Sequence, residues 1–305
     1  MAPEQSEPAA GEISSSLASG QILAGRYRIA AFLGAGAVGE VYEAEDLELG
    51  SRVAVKILRP GIAGDDRAFR RFKQEIQLAR RVTHPNVCRT YDLVYHREPA
   101  GGPSRVFLTM ELLRGETLAD RLARRGRMEP AEALPVVRQI AEALSAAHAA
   151  GVVHRDLKTS NVFLVDHPAG MRAVVTDFGL AWSTEQDASA ATLTVAGEML
   201  GSPAYMAPEQ VRGDTATPAT DVYAFGVVLY EMVTGELPFL GKSAFYTALK
   251  RLQEPPPSPR DKVPGLDPGW ESVILRCLER EPADRFASVE EAVRGLLVPA
   301  PSWTP

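Results

Sequence analysis

Two acids, a lysine and an amide lie close together near the middle of the chain and have side chains suited to phosphate chemistry. Asp156, Lys158 and Asn161 fall within six positions, and Asp177 follows sixteen residues after Asn161. The oxygens of Asn161 and Asp177 suit Mg2+, which completes its coordination with water and phosphate oxygens. Asp156 is then available to accept a proton, while Lys158 neutralises charge on a transferring phosphoryl group. The stretch therefore predicts a site that holds a metal and an alcohol together.

The same stretch contains two motifs that a known family shares. It reads His-Arg-Asp-Leu-Lys-Thr-Ser-Asn over 154–161 and Asp-Phe-Gly over 177–179. Asp-Phe-Gly alone also fits a turn with a core phenylalanine, since short motifs match by chance. Together the motifs resemble the catalytic core of the eukaryotic-like (Hanks-type) protein kinases, and a lysine at position 158 resembles the serine/threonine branch. Tyr-Arg-Ile at 27–29 and Ala-Pro-Glu-Gln at 207–210 look most like the bacterial members. The resemblance implies that Asp156 and Lys158 are catalytic and that Asn161 and Asp177 hold Mg2+.

Length and composition are ordinary for a globular protein. The chain has 305 residues, of which 45% are hydrophobic and 24% charged, and its net charge is −6. We expect no nucleic-acid partner, which would require a basic stripe. The longest apolar run, 222–233, is interrupted by Glu231 and is shorter than the roughly 20 residues of a membrane helix, so no membrane segment is expected. The two cysteines, Cys88 and Cys277, are too few for a disulfide framework and fit a reducing cytosolic compartment. We therefore expect a cytoplasmic protein, with the cytosolic part of a longer, membrane-tethered protein as the alternative.

The order of the predicted elements indicates an α+β fold with two lobes. Residues 1–20 lack periodicity and are expected to form a disordered leader. Strand patterns dominate over 21–112 and helical patterns over 113–298, before a Pro-rich tail at 299–305. We therefore expect an N-lobe with an antiparallel sheet and one main helix, a larger, mostly helical C-lobe, and a cleft between them. The resemblance covers about 27–297 and implies the bilobal protein kinase fold with ATP in that cleft.

A glycine-rich turn precedes the second predicted strand. Residues 34–41 read Gly-Ala-Gly-Ala-Val-Gly-Glu-Val. This spacing also fits a dinucleotide-binding fingerprint, but such a site needs a helix after the third glycine, and 40–44 have a strand pattern. A hairpin with glycines at its tip can instead lay backbone amides over phosphates, because no Cβ blocks the approach. The resemblance implies a flap over ATP that consists of Gly34, Ala35, Gly36, Ala37, Val38 and Gly39.

A lysine and a glutamate are expected to act together beside this flap. Lys56 lies in the β-branched strand 52–58, and a strand lysine is usually solvated unless it has a partner. A helix that runs from about Asp66 to Val82 offers Glu75 at the edge of its apolar face. By resemblance, Glu75 orients Lys56 toward the α- and β-phosphates of ATP. The resemblance also assigns the adenine pocket, although ordinary core packing explains residues 110–115 equally well: the pocket residues are Val41, Ala54, Met110, Glu111, Leu113 and Phe163.

Further residues are assigned to regulation and to the substrate. Residues 177–209 are rich in Ser, Thr, Ala and Gly and are expected to form a functional loop. By resemblance, Arg155 marks kinases that are switched on by a phosphate on this loop, which an arginine fork binds bidentately. Arg71, one helical turn before Glu75, would be a second basic partner. The expected phosphate acceptors are Thr194 first and Thr192 second, and Ser202 would help to admit the substrate hydroxyl.

Three residues outside these stretches have structural roles by resemblance. Asp221, in an apolar helix, is expected to anchor the backbone of residues 154–161, which we call the catalytic loop. Arg285 is expected to pair with Glu209 of the Ala-Pro-Glu motif. Residues 255–259, Pro-Pro-Pro-Ser-Pro, are interpreted as an extended connector in preference to a proline-rich partner motif.

Taken together, the sequence predicts a serine/threonine protein kinase. It would transfer the γ-phosphate of ATP, with Mg2+, to Ser or Thr hydroxyls of proteins, under control of activation-loop autophosphorylation after self-association. Two alternatives remain. A pseudokinase-type nucleotide-binding scaffold is disfavoured by the presence of Lys56, Asp156 and Asp177. A small-molecule phosphotransferase is disfavoured by the Ala-Pro-Glu loop and Lys158.

Overall fold

The structure is a computed structural model that describes residues 16–36, 39–59, 66–97, 104–168, 170–178 and 203–297. The chain divides into two compact units, Met1–Asp65 with Asp92–Leu112 and Asp66–Tyr91 with Leu113–Pro305. Most of the predicted leader and all of the predicted tail lie outside the described residues. The helix that begins at residue 66 lies in the second of these units. A bridge between Val87 and Val175 joins the stretch after this helix to a strand of the same unit.

The first unit contains a sheet of six strands in the order β1-β2-β3-β4-β6-β5, which confirms the predicted antiparallel sheet. The pairs from β1 to β4, and β4 with β6, are antiparallel. The strands are β1 (Ile22–Leu23), β2 (Tyr27–Ala35), β3 (Gly39–Asp46), β4 (Ser51–Leu58), β5 (Thr90–His96) and β6 (Arg105–Met110). Alternation along these strands buries one face in a core that includes Tyr42, Val55, Ile57 and Phe107.

The second unit is mostly helical, as the composition after residue 113 predicts. Its helices are α1 (Asp66–Ala79), α2 (Leu118–Arg125), α3 (Pro130–Ala149), α4 (Pro208–Arg212), α5 (Pro218–Thr234), α6 (Ala244–Gln253), α7 (Pro268–Cys277) and α8 (Val289–Leu297). A small sheet accompanies them, in the order β7 (Glu116–Thr117), β8 (Val162–His167) and β9 (Gly170–Val175). Within the described part of the chain, no helix combines the length and the apolar character needed to cross a membrane.

Helix α5 is the centre of the second unit. Each residue from 220 to 230 is buried, so the helix is enclosed on all sides and not only along one stripe. A helix that is apolar around its whole circumference is stable only inside a core. The polar exception at its start, Asp221, is fully buried and therefore needs partners, which the catalytic loop supplies.

Candidate active site

The glycine-rich turn forms the β2–β3 hairpin of the first unit. Gly34 pairs with Val41, and the Gly36 amide donates to the Gly39 carbonyl at 2.8 Å. A Cβ on Gly39 would lie 1.8 Å from the Ile57 carbonyl oxygen, so this glycine is required by the neighbouring strand itself. A strand follows Gly39, which removes the dinucleotide-binding alternative because that site needs a helix there.

The predicted nucleotide residues of the first unit share one face of the sheet. Lys56 lies directly opposite Val41 on β3 and Leu108 on β6, and Ala54 lies opposite Met110. Opposite residues in neighbouring strands project to the same side. This side faces away from the apolar core on the other surface of the sheet. Lys56 is nevertheless 5% exposed, so it is not the solvated lysine that is usual on a strand.

The catalytic loop of the second unit is held by the buried carboxylate of Asp221. Its Oδ2 accepts from the His154 amide at 2.8 Å and lies 2.7 Å from His148 Nε2, and its Oδ1 accepts from the Arg155 amide at 2.9 Å. Arg155 has a positive φ of 67°, a region that costs free energy for a residue other than glycine. The two backbone bonds to Asp221 hold this turn in place. The anchor that the resemblance implied is therefore present.

Asp156 is oriented by two neighbours in the loop. Lys158 Nζ lies 2.7 Å from Asp156 Oδ2, and the Asn161 side-chain nitrogen donates to the Asp156 carbonyl at 2.8 Å and to Oδ2 at 3.3 Å. Since a carbonyl can only accept, the Asn161 amide nitrogen is turned toward Asp156 and its side-chain oxygen away from it. Among the residues that the structure describes, neither Asp156 Oδ1 nor that Asn161 oxygen has a hydrogen-bond partner. One carboxylate oxygen and one amide oxygen thus remain for ligands.

The backbone residue that precedes Asp177 is bonded to Asn161. The Thr176 amide donates to the Asn161 carbonyl at 2.8 Å, and Asp177 follows with a positive φ of 64°. The His154 ring packs against Phe178 with centroids 4.6 Å apart, and its Nε2 donates to the Thr176 carbonyl at 2.9 Å. These contacts fix the Asp-Phe part of the motif to the catalytic loop. The side chains of Asn161 and Asp177 both carry oxygen ligands of the kind that Mg2+ prefers, so their chemistry fits this metal.

Glu75 and Arg155 form an ion pair inside the second unit. Arg155 Nη1 lies 2.6 Å from Glu75 Oε1, and both side chains are largely buried. Sequence reasoning gave these residues separate partners, Lys56 for Glu75 and a loop phosphate for Arg155. The pairing of Glu75 with Lys56 stays a prediction. Phe163 belongs to β8 of the second unit and lies opposite Val174. The adenine pocket, whose predicted residues come from both units, also stays a prediction.

The Ala-Pro-Glu motif is fixed by a bidentate ion pair. Arg285 donates to both Glu209 oxygens at 2.8 and 2.7 Å, and the Thr220 hydroxyl donates to Glu209 Oε1 at 2.9 Å. Burial alone would raise the pKa of Glu209, but the hydrogen bonds and charge of Arg285 outweigh it and hold the pKa below its usual value. The predicted pair of Arg285 with Glu209 is confirmed.

The structure adds a link that the sequence did not reveal, between the catalytic loop and the segment before α4. The Tyr205 hydroxyl donates to the Glu231 carboxylate on α5 and lies 2.9 Å from Thr159 Oγ1 in the loop. Gln210 Nε2 donates to the Arg155 carbonyl at 2.8 Å. Burial raises the pKa of Glu231, although the hydrogen bond from Tyr205 partly opposes this rise. The only local signal was a polar Thr159 between Lys158 and Asn161, which does not name a partner.

Several predicted site residues lie outside the described part of the chain. They are Ala37, Val38, Thr192, Thr194, Ser202 and the side chain of Arg71. Their roles therefore stay predictions. Glu111 and Leu113 are described and fall in the irregular stretch between β6 and β7.

Comparison with known proteins identifies the family. The family model of the protein kinase domain matches residues 27–295. The chain belongs to the protein kinase domain family, which confirms the predicted fold and family.

The chain is similar to bacterial kinases. The serine/threonine-protein kinase PknA of Mycobacterium tuberculosis is 40% identical over 294 residues, which cover 94% of this chain and 65% of PknA. The serine/threonine-protein kinase PrkC of Bacillus subtilis is 39% identical over 273 residues, which cover 89% of this chain and 40% of PrkC. The crystal structure of the M. tuberculosis PknI kinase domain superposes with a TM-score of 0.73 at 28% identity, covering 93% of this chain and all of that one. This chain thus spans 40–65% of the length of the two curated relatives.

Proposed function

We propose that this chain is a serine/threonine protein kinase domain that transfers the γ-phosphoryl group of ATP to hydroxyl groups of proteins. The observation that carries the proposal is the arrangement around Asp156. One carboxylate oxygen is engaged by Lys158, and the other has no partner among the described residues. A carboxylate held in this way can accept the proton of an alcohol while the neighbouring ammonium balances negative charge.

The other residues of the second unit act by position. Asn161 and Asp177 would hold Mg2+, because the Asn161 side-chain oxygen points away from Asp156 and Asp177 follows Thr176, whose amide donates to the Asn161 carbonyl. The bound metal would supply positive charge to phosphate oxygens. Lys158 remains within 2.7 Å of Asp156, so it orients the acid and adds charge at the same point. Little covalent chemistry is required, since phosphoryl transfer depends chiefly on positioning and charge.

The residues of the first unit would bind the nucleotide. Lys56, on the sheet face that also carries Val41 and Ala54, has a charge suited to the α- and β-phosphates, and Val41 and Ala54 offer apolar surface to the adenine. The hairpin glycines Gly34 and Gly36 have open space where a Cβ would be, which supports close approach of a ligand to their backbone.

Protein substrates and autophosphorylation belong to the same proposal. The two curated relatives are named serine/threonine-protein kinases, which supports Ser and Thr as acceptors. Thr194 and Thr192 would be the sites of autophosphorylation between associated copies, with Arg155 and Arg71 as the partners of the phosphate. A cytoplasmic location belongs to the same proposal, either for this chain by itself or for the chain as the cytosolic part of a longer, membrane-tethered protein.

Incubation with Mg·ATP, followed by mass spectrometry, tests this function. The purified chain is incubated with casein and, separately, with glycerol as a small alcohol, and phosphorylated residues are mapped. We expect phosphate on Ser or Thr of casein and on Thr194 or Thr192. Phosphate on glycerol alone would favour a small-molecule phosphotransferase. Nucleotide binding without transfer to any acceptor would favour the scaffold alternative.

A further inference from the structure

Helix α6 carries an arginine whose charged group lies inside the second unit. Arg251 is 2% exposed, on the face of α6 that also buries Thr247 and Ala248. Arginine is almost never fully buried unless its guanidinium is paired. Within the described part of the chain, no carboxylate lies at ion-pair distance from it, so its charge must be balanced in another way.

Arg251 uses its two terminal nitrogens on consecutive backbone carbonyls. Nη1 donates to the Pro203 oxygen and Nη2 to the Ala204 oxygen, each at 2.7 Å. Hydrogen bonds from a charged donor are roughly twice as strong as neutral ones. The rings of Tyr223 and Phe239 lie 5.8 and 5.9 Å from the guanidinium carbon, at distances where an aromatic face attracts a cation. The planar guanidinium of Arg251 thus acts as a rigid fork that holds the carbonyls of residues 203 and 204.

The next residue of that segment is bound to the catalytic loop. The Tyr205 hydroxyl lies 2.9 Å from Thr159 Oγ1, and Thr159 directly follows Lys158. Tyr205 also donates to Glu231 on α5. Three consecutive residues, 203–205, are therefore bonded to α6, to α5 and to the loop that carries the catalytic acid. The position of their backbone beside that loop depends on these bonds.

We propose that Arg251 is a positioning residue for the protein substrate, one that holds the backbone of Pro203 and Ala204 beside the catalytic loop where the acceptor segment binds. This inference rests on the proposed phosphoryl transfer to proteins. Because Arg251 is 2% exposed, it acts through the backbone and does not touch the substrate itself. Loss of the guanidinium removes both hydrogen bonds, so the backbone of Pro203 and Ala204 is held less firmly beside the catalytic loop. The residues assigned to the nucleotide are unchanged.

Steady-state kinetics with casein and Mg·ATP test the role of Arg251. Arg251→Met keeps the length of the side chain but removes every donor, and Lys250→Met removes a neighbouring charge on the same helix as the matched control. We expect Arg251→Met to raise KM for casein about tenfold, with KM for ATP and kcat at saturating casein within about twofold of the original. KM for casein of Arg251→Lys should lie between the values of the parent and of Arg251→Met, because one ammonium group replaces the planar guanidinium. Lys250→Met should leave both KM values unchanged.

Several outcomes overturn the inference. The inference is wrong if Arg251→Met keeps its melting temperature, its ATP affinity and an unchanged KM for casein. A parallel rise of the KM values for casein and for ATP also overturns it, because that result would indicate a general loss of structure. If Arg251→Met does not fold, Arg251→Lys and Arg251→Gln decide the question in the same assay, and an unchanged KM for casein in both overturns the inference. A parent protein that phosphorylates no protein removes the proposed function together with the inference. An active parent with an equally active variant removes only the inference.

Discussion

Removal of the Arg285 guanidinium should destabilise the second unit strongly, because it leaves a buried carboxylate without its main partner. Arg285 makes two bonds to Glu209 and also donates to the carbonyls of Glu279, Ala219 and Arg280 at 2.7–3.0 Å. In Arg285→Ala, Glu209 would lose both guanidinium bonds and the charge that balances it, while the bond from the Thr220 hydroxyl would remain. Breaking a buried pair from one side costs about 3–5 kcal/mol, which corresponds to a fall in melting temperature on the order of 10 °C.

The matched control is an exposed pair in the same unit. Arg212 Nη2 lies 3.2 Å from Glu281 Oε1, and the two side chains are 36% and 58% exposed. Arg212→Ala should therefore cost about 0–1 kcal/mol. Calorimetry or urea unfolding monitored by tryptophan fluorescence measures both variants at neutral pH. Equal, small effects of Arg285→Ala and Arg212→Ala would refute the claim that the buried pair stabilises the unit.

A pH series gives an independent check on this reasoning. Since the pKa of Glu209 is lowered in the folded protein, its contribution to stability is present above the ordinary carboxyl pKa and is lost as pH falls through the lowered one. The difference in unfolding free energy between the parent and Arg285→Ala should thus shrink under acid conditions. A difference that grows in acid would contradict the assigned charge state of Glu209.

Two further changes test the site elements. Gly39→Ala should destabilise the first unit by about 1–3 kcal/mol in urea unfolding, because its Cβ would lie 1.8 Å from the Ile57 carbonyl, whereas Gly34→Ala, which meets nothing within 4 Å, should be neutral or slightly stabilising; equal losses would refute the steric account. Because burial raises the pKa of Glu231, proton uptake favours the folded state below the ordinary carboxyl pKa, and this benefit is lost as pH rises through the raised pKa. The parent should therefore gain stability relative to Glu231→Gln as pH falls from 8 to 5. The measurement is the difference between the urea midpoints of the two proteins, and a difference that stays constant with pH would show that Glu231 does not titrate in that range.

Local sequence patterns predicted the elements that carry the site. The β-branched run at 52–58 forms β4, and helix α3 begins at Pro130 and ends before Gly151, as its proline and glycine indicate. Helix α5 begins at Pro218 and includes Asp221, which agrees with the apolar helix expected around this residue. Helix α7 was not predicted, although Asp267 as N-cap and Pro268 at the first position were readable signals.

Contacts between distant residues could not be predicted in the same way. The bonds from Arg251 to the carbonyls of Pro203 and Ala204 span 48 and 47 positions, and the contact of Thr159 with Tyr205 spans 46. Such contacts follow from the packing of whole helices, so no local pattern specifies them. A partial signal existed for Arg251, because helical spacing places this charge on the same face as buried residues. A charge on an apolar face requires a partner, but the sequence does not identify it.

The transfer of 32P from Mg·[γ-32P]ATP to casein by Asp156→Asn is the most direct test of the central claim that the free carboxylate oxygen of Asp156 accepts the hydroxyl proton. Asp166→Asn, which changes an exposed acid on β8, is the control. Asp156→Asn should lower kcat about 10²–10⁴-fold, with nucleotide affinity and melting temperature retained, because the amide cannot take up the proton. Phosphate transfer by Asp156→Asn at the rate of Asp166→Asn would contradict the claim.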